Sequence, residues 1–132
     1  MPKRTRVVSP HVAEPPPQRW SNCIRVGDMV FVAGMTARVG DKIEGADEYE
    51  QSKVIFGKIK HLVEAAGGQI NDVVKIIVYV VNIRQNTQVW RARAEVFSGD
   101  FPTSTLVEVS SLATMDTLVE IEAIAVVGSS SG

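Results

Sequence analysis

The segment Leu118 to Val127 restricts the fold more than any other part of the chain. Its β-branched and small apolar residues read as a strand, and strand side chains alternate between faces. Val119, Ile121, Ala123, Ala125 and Val127 therefore share one face, while Leu118, Glu120, Glu122, Ile124 and Val126 share the other. The first set suits a helix-covered core. The second mixes aliphatic residues with two carboxylates, which is not an ordinary solvated surface. Ser104 to Val109 reads as a further strand that repeats this second-face mixture, Leu106 standing between Ser104 and Glu108.

The elements before it follow from changes in apolar period. Ile24 and Val26, then Met29 to Ala33, read as strands joined at Gly27-Asp28, a residue pair suited to a hairpin turn. Gly40-Asp41 offers a second turn ahead of Ile43. Ile55, Phe56, Ile59, Leu62, Val63 and Ala66 then fall at helical spacing, with Asp47 and Glu50 as an N-terminal capping pair and Gly67-Gly68 as the stop. Val73 to Val81 is almost wholly β-branched or aromatic, as a strand covered on both faces would be. A second helix is expected from Asn86 to Phe97, grouping Val89, Trp90, Arg93, Val96 and Phe97 on one side, before Asp100-Phe101-Pro102 breaks it. The expected product is an α+β domain with a mixed sheet and two helices on one face. Two helices cannot cover both sides of such a sheet, so its second face calls for another subunit, with ligand clefts near the subunit boundaries.

Residues 18–127 form this domain. Residues 1–17, with Lys3, Arg4, Arg6 and a closing Pro15-Pro16-Pro17, read as a flexible arm, and 128–132 as a flexible tail. Composition then removes several classes of function. Fourteen Lys and Arg against fifteen Asp and Glu give no electrostatic reason to expect nucleic acid or an anionic membrane as partner. One cysteine, Cys23, excludes an internal disulfide, and two separated histidines make no zinc set. No apolar run approaches bilayer-spanning length and no signal sequence opens the chain, so a cytoplasmic domain is expected. The serines and threonines lack a histidine at the spacing of a hydrolase triad, and Gly34, Gly40 and Gly45 do not form a phosphate loop. Glu120 and Glu122 remain. Strand carboxylates are usually solvated or paired with a cation, and pattern alone leaves that reading open beside a catalytic one.

Four segments carry a resemblance. Val26-Gly27-Asp28-Met29-Val30-Phe31-Val32-Ala33-Gly34, Leu62 to Gly68 with Asp72-Val73-Val74-Lys75, Pro102 to Val109, and Leu118 to Ala125 resemble, in order, the signature segments of the YjgF/UK-one-fourteen family. These proteins are also called Rid, for reactive-intermediate deaminase. The resemblance covers Trp20 to Val126. It implies a chorismate-mutase-like fold and a homotrimer around a central barrel, with three clefts between subunits. It also implies hydrolysis of reactive enamines or imines to a carbonyl compound and ammonia, without metal or cofactor. Glu120 falls at the position of the family's catalytic carboxylate, which orients water and moves a proton to the departing nitrogen. Glu122 is then structural. The substrate-binding positions implied are Trp20, Ala33, Gly34, Ser104, Thr105 and Leu106.

Departures from the family pattern bear on the substrate. Deaminating members carry an arginine at the position of Ser104, where a planar fork grips a substrate carboxylate. A hydroxyl cannot replace it, and such a clamp contributes roughly 1.5–3 kcal/mol. Trp20 stands for the usual tyrosine, Ala33 for a serine, Leu106 for a small or thiol residue and Trp90 for an asparagine. The site so described is apolar and short of a cation, which implies a larger or uncharged small-molecule substrate. The alternative is a non-catalytic, metabolite-binding or regulatory trimer. Arg19, Arg25 and Arg91 are the candidates to restore a cation to the cleft.

Overall fold

A computed structural model describes residues 2–130. Six strands make one sheet: β1 (Arg4–Arg6), β2 (Cys23–Val26), β3 (Met29–Met35), β6 (Val73–Val80), β7 (Thr103–Glu108) and β8 (Val119–Val126). Their spatial order is β1-β2-β3-β8-β6-β7, with only β6 and β7 parallel. A small separate hairpin, β4 (Arg38–Val39) and β5 (Lys42–Ile43), turns at Gly40. Helices α1 (Glu48–Ala65) and α2 (Asn86–Ala94) lie on one face. The last strand thus inserts at the centre, between β3 and β6. There Val119, Ile121, Ala123 and Ala125 are buried under the helices, as the alternation required. No helix among the described residues is long and apolar enough to cross a membrane.

Helix α1 begins and ends on its sequence signals. The Asp47 side chain accepts from Glu50 N at 2.8 Å, whereas the returning carboxylate of Glu50 lands one residue early, on Ala46 N. At the other end Gly67 adopts φ 100°, Gly68 N donates to Val63 O and Gly67 N to Glu64 O, the paired bonds of a Schellman stop. Ile55, Phe56, Ile59, Leu62 and Val63 point into the core at the expected spacing. Gln51 is buried with them and ties three segments together, donating to Gly45 O and Asp116 O and accepting from Leu118 N. Helix α2 stops at Ala94, short of the expected Phe97, because Glu95 N and Val96 N bond three residues back and tighten the last turn. Phe97 still reaches the core, edge-on to Phe56.

Three expectations are corrected by the structure. Residues 2–17 of the expected 1–17 arm are not free. Arg4 to Arg6 pair with β2, and Val7 and Val12 are buried in the core. Arg6 pairs with Glu14, and Asn22 holds Ala13 O. The polar, proline-rich composition conceals the two valines that anchor the segment. The tail begins as a docked turn, in which Gly128 N and Ser130 N donate to the buried Asp72 carboxylate; its last two residues lie outside the described ones. Burial alone would raise the Asp72 pKa, but hydrogen bonds from Ser130, Gln69 and Gly128 outweigh it and hold the carboxyl below its usual range.

The third correction concerns β7. Its parallel register places Ser104 beside Ile76, Leu106 beside Val78 and Glu108 beside Val80. Ile76, Val78 and Val80 are buried under the helices. Ser104, Leu106 and Glu108 therefore belong to the helix-covered face, at its edge. It is Thr103, Thr105 and Val107 that join Glu120 and Glu122 on the second face.

Candidate active site

Glu120 sits where the sheet is irregular. Between the pairs Val32–Ala123 and Met35–Ile121, strand β3 spends Ala33 and Gly34 against a single residue of β8. Such a bulge bends the strand and re-aims its neighbours. The bulge presents Gly34 to the Glu120 carboxylate: a Cβ built on Gly34 would stand 3.0 Å from Glu120 Cδ, 3.2 Å from its Cγ and against Oε2. Only glycine leaves room for the acid in this position. Glu120 is half-buried, and burial raises its pKa above the ordinary carboxylate range, with the charge of Glu122 adding to the effect. That combination keeps a carboxylate near the point where it can both take and return a proton.

A neighbour that sequence reading did not identify completes the surroundings. Tyr79 pairs directly with Glu120 across the β6–β8 ladder, and its hydroxyl donates to Glu122 Oε1 at 2.6 Å. That hydrogen bond, with burial, keeps the phenol proton in place. Glu122 is thereby engaged in the sheet while Glu120 has no hydrogen-bond partner among the described residues. The signal for Tyr79 was present only as an aromatic residue within an aliphatic strand. Its position opposite Glu120 required the strand register.

The other sequence-derived positions divide into two groups. Ala33 N donates to Asn22 O, and Asn22 Oδ1 accepts from Trp20 Nε1 at 3.1 Å, so Trp20 is tied through Asn22 to Ala33, while Gly34 faces Glu120 at the bulge. Trp20 is 55% exposed there. Thr105 is on the same face as Glu120, in the row Glu122–Ile77–Thr105. Ser104 and Leu106 are on the opposite face of the sheet from Glu120. A single chain therefore does not bring Ser104 and Glu120 into one pocket.

None of the three arginines considered from sequence donates to Ser104. Arg25 caps α1 through Ala66 O and also holds Gly27 O; Arg91 lies over the Tyr49 ring, 3.5 Å from its centroid; Arg19 makes no such bond among the described residues. Arg93 does so instead, its Nη1 donating to Ser104 Oγ at 2.9 Å. The sequence signal was an arginine grouped with the apolar side of α2. Cys23 is fully buried, and burial, with the charge of Glu14, pushes its thiol up to about 11, so it stays protonated and serves as packing.

Comparison with known proteins agrees with this geometry. A RutC family protein of Pyrococcus abyssi is 38% identical over 109 residues, covering 80% of this chain and 84% of its own length. A 2-iminobutanoate/2-iminopropanoate deaminase of Dermatophagoides farinae is 31% identical over 127 residues, covering 92% of this chain and 96% of its own. The crystal structure of a protein of unknown function from Pseudomonas aeruginosa superposes with a TM-score of 0.89 at 38% identity, covering 97% of this chain and 95% of the other. Residues 11–127 match the family described as endoribonuclease L-PSP. That match spans most of the chain, and the chain belongs to this family, the YjgF/RidA proteins.

Proposed function

We propose that this protein hydrolyses a reactive imine, or an enamine entering as its imine tautomer, to a carbonyl compound and ammonia. The observation that carries the proposal is the Glu120 carboxylate: half-buried, raised in proton affinity and seated against Gly34. Water held by Glu120 adds its oxygen to the C=N carbon, while the carboxylate takes the water's proton and passes it to nitrogen, giving a carbinolamine. In the second step Glu120 takes the hydroxyl proton and delivers it to the amino group as the C–N bond breaks. Ammonia and the carbonyl compound leave, and the carboxylate is unchanged. Orientation and one proton shuttle suffice for this reaction.

The active assembly is a homotrimer around a central barrel, with a cleft at each subunit boundary. Two features support that reading. The second face exposes Met29 (43%), Phe31 (41%) and Val107 (40%), apolar side chains for which a neighbouring subunit is the natural cover. The two groups of site residues also lie on opposite faces, so a cleft containing both needs Glu120 from one copy and the β7 edge from the next.

Imines generated in situ by an amino-acid oxidase provide the test. The protein is expected to accelerate ammonia release from at least one member of a panel of aliphatic and aromatic imines, and to sediment with the mass of three chains. Saturable binding of the panel's products with no acceleration on any imine would replace the enzyme by a metabolite-binding trimer.

A further inference from the structure

Among the described residues, Arg93 is a cation without a countercharge. The ion pairs among the described residues are Arg6–Glu14 and Arg25–Asp28, and Arg93 is in neither. Its guanidinium carries five N–H donors in a rigid plane, of which the structure uses one, on Ser104 Oγ. The side chain is half-buried, and burial lowers its pKa, the mark of a cation partly stripped of water. Removing a charge from water is costly unless an opposite charge compensates. Among the described residues none supplies one.

The position suits a ligand. β7 is the outermost strand of the sheet, so the Arg93–Ser104 pair stands at an open edge. Trp90, one helical turn before Arg93, is 48% exposed, and Leu106 lies two residues beyond Ser104 on the same face of β7. The fork therefore projects at an apolar margin where water competes poorly for its remaining donors. A neutral hydroxyl at 2.9 Å sets the direction of the fork without neutralising it.

We propose that Arg93 is the specificity-determining cation of the cleft. It receives the carboxylate of the ligand from α2, while Ser104 is the positioning residue that aims it. The ligands are then 2-imino acids and 2-oxo acids with apolar side chains. This assignment rests on the imine-hydrolase reading for its substrates. It replaces the uncharged substrate expected from Ser104 alone, because the charge absent from β7 comes from the neighbouring helix.

Binding separates the two readings, since it needs no turnover. Calorimetric titration uses 2-oxobutanoate and phenylpyruvate, each beside its methyl ester, with wild type, Arg93→Met, Arg93→Lys and Ser104→Ala. Wild type is expected to prefer the acid over the ester for at least one pair. Arg93→Met should weaken acid binding by about 10–100-fold and leave ester binding unchanged, the range expected for hydrogen bonds between charged groups. Arg93→Lys should recover part of the loss, as a point charge without the fork. Ser104→Ala, which removes an exposed hydroxyl, should weaken acid binding by a smaller factor. Wild type binding neither acid, or Arg93→Met retaining full acid affinity, or acid and ester weakening equally, each overturns the assignment. Arg93-dependent acid binding with no ammonia release from any imine would instead retire the hydrolase reading and leave the cation's role standing.

Discussion

Glu120→Gln is expected to reduce imine hydrolysis by about 10²–10⁴-fold, the usual contribution of a placed general acid–base, while leaving the fold intact. Gln preserves the shape beside Gly34 and removes the proton carrier. The stability of the variant is the internal control, and its sign follows from linkage. Glu120 has its folded-state pKa raised, first by burial and then by Glu122. A carboxylate raised in this way favours the folded state below its unfolded pKa, and that contribution is lost as pH rises through the folded value. At neutral pH the ionised Glu120 is thus a cost to folding, and Gln removes it. The variant should therefore melt no lower than wild type at neutral pH, whereas a residue conserving only structure would lower the melting temperature when replaced. The same shift predicts that wild-type turnover declines on the acid side at a pH above the ordinary glutamate range, as the base becomes protonated. Turnover retained in Glu120→Gln, or an unchanged acid limb, would remove Glu120 from the mechanism.

The parts of this molecule legible in its sequence are those set by local chemistry. Asp47 and Glu50 open α1 and Gly67-Gly68 close it because caps act over three or four residues. The alternation through Val119, Ile121, Ala123 and Ala125 identified the covered face of β8 because one strand's parity needs no partner. Parity between strands is different. Thr103 to Glu108 alternates Thr103, Thr105 and Val107 with Ser104, Leu106 and Glu108, and neither set is apolar enough to declare itself the inner one. Only the parallel register with β6 decides, and it places Ser104 with Ile76 rather than with Glu120.

The same distinction explains the site. Glu120 and Gly34 could be singled out by resemblance, yet their direct approach depends on a bulge that two consecutive residues of β3 create against β8. Arg93 and Ser104 are separated by ten residues and a loop, and their hydrogen bond arises from the β6–α2–β7 crossover, which lays the helix beside the strand that follows it. An arginine missing from a strand can be read from sequence. The replacement of its charge from a helix cannot, because that requires knowing which turn of α2 faces β7. The docking of the N-terminal segment is illegible in sequence for a related reason: Val7 and Val12 are isolated among polar residues and prolines, with no periodic pattern to announce that both are buried.

Gly34→Ala should be almost as damaging as losing the carboxylate itself, by about 10²-fold in kcat, since a displacement near 1 Å at a reacting group costs on that order. The glycine is not required by backbone conformation, for its φ is not among the positive ones. It is required by space. The added methyl group would stand 3.0 Å from Glu120 Cδ, closer than carbon atoms pack, and the atoms it meets are the end of a flexible side chain. The carboxylate is therefore expected to swing aside while the strands remain paired, and the melting temperature should change little. A double-mutant cycle distinguishes this account from a general disturbance of the bulge. If Gly34 acts only by leaving Glu120 in place, then Gly34→Ala in the Glu120→Gln background should cost almost nothing further. A full additional 10²-fold loss in that background would mean that the bulge contributes to turnover by a route that does not pass through Glu120.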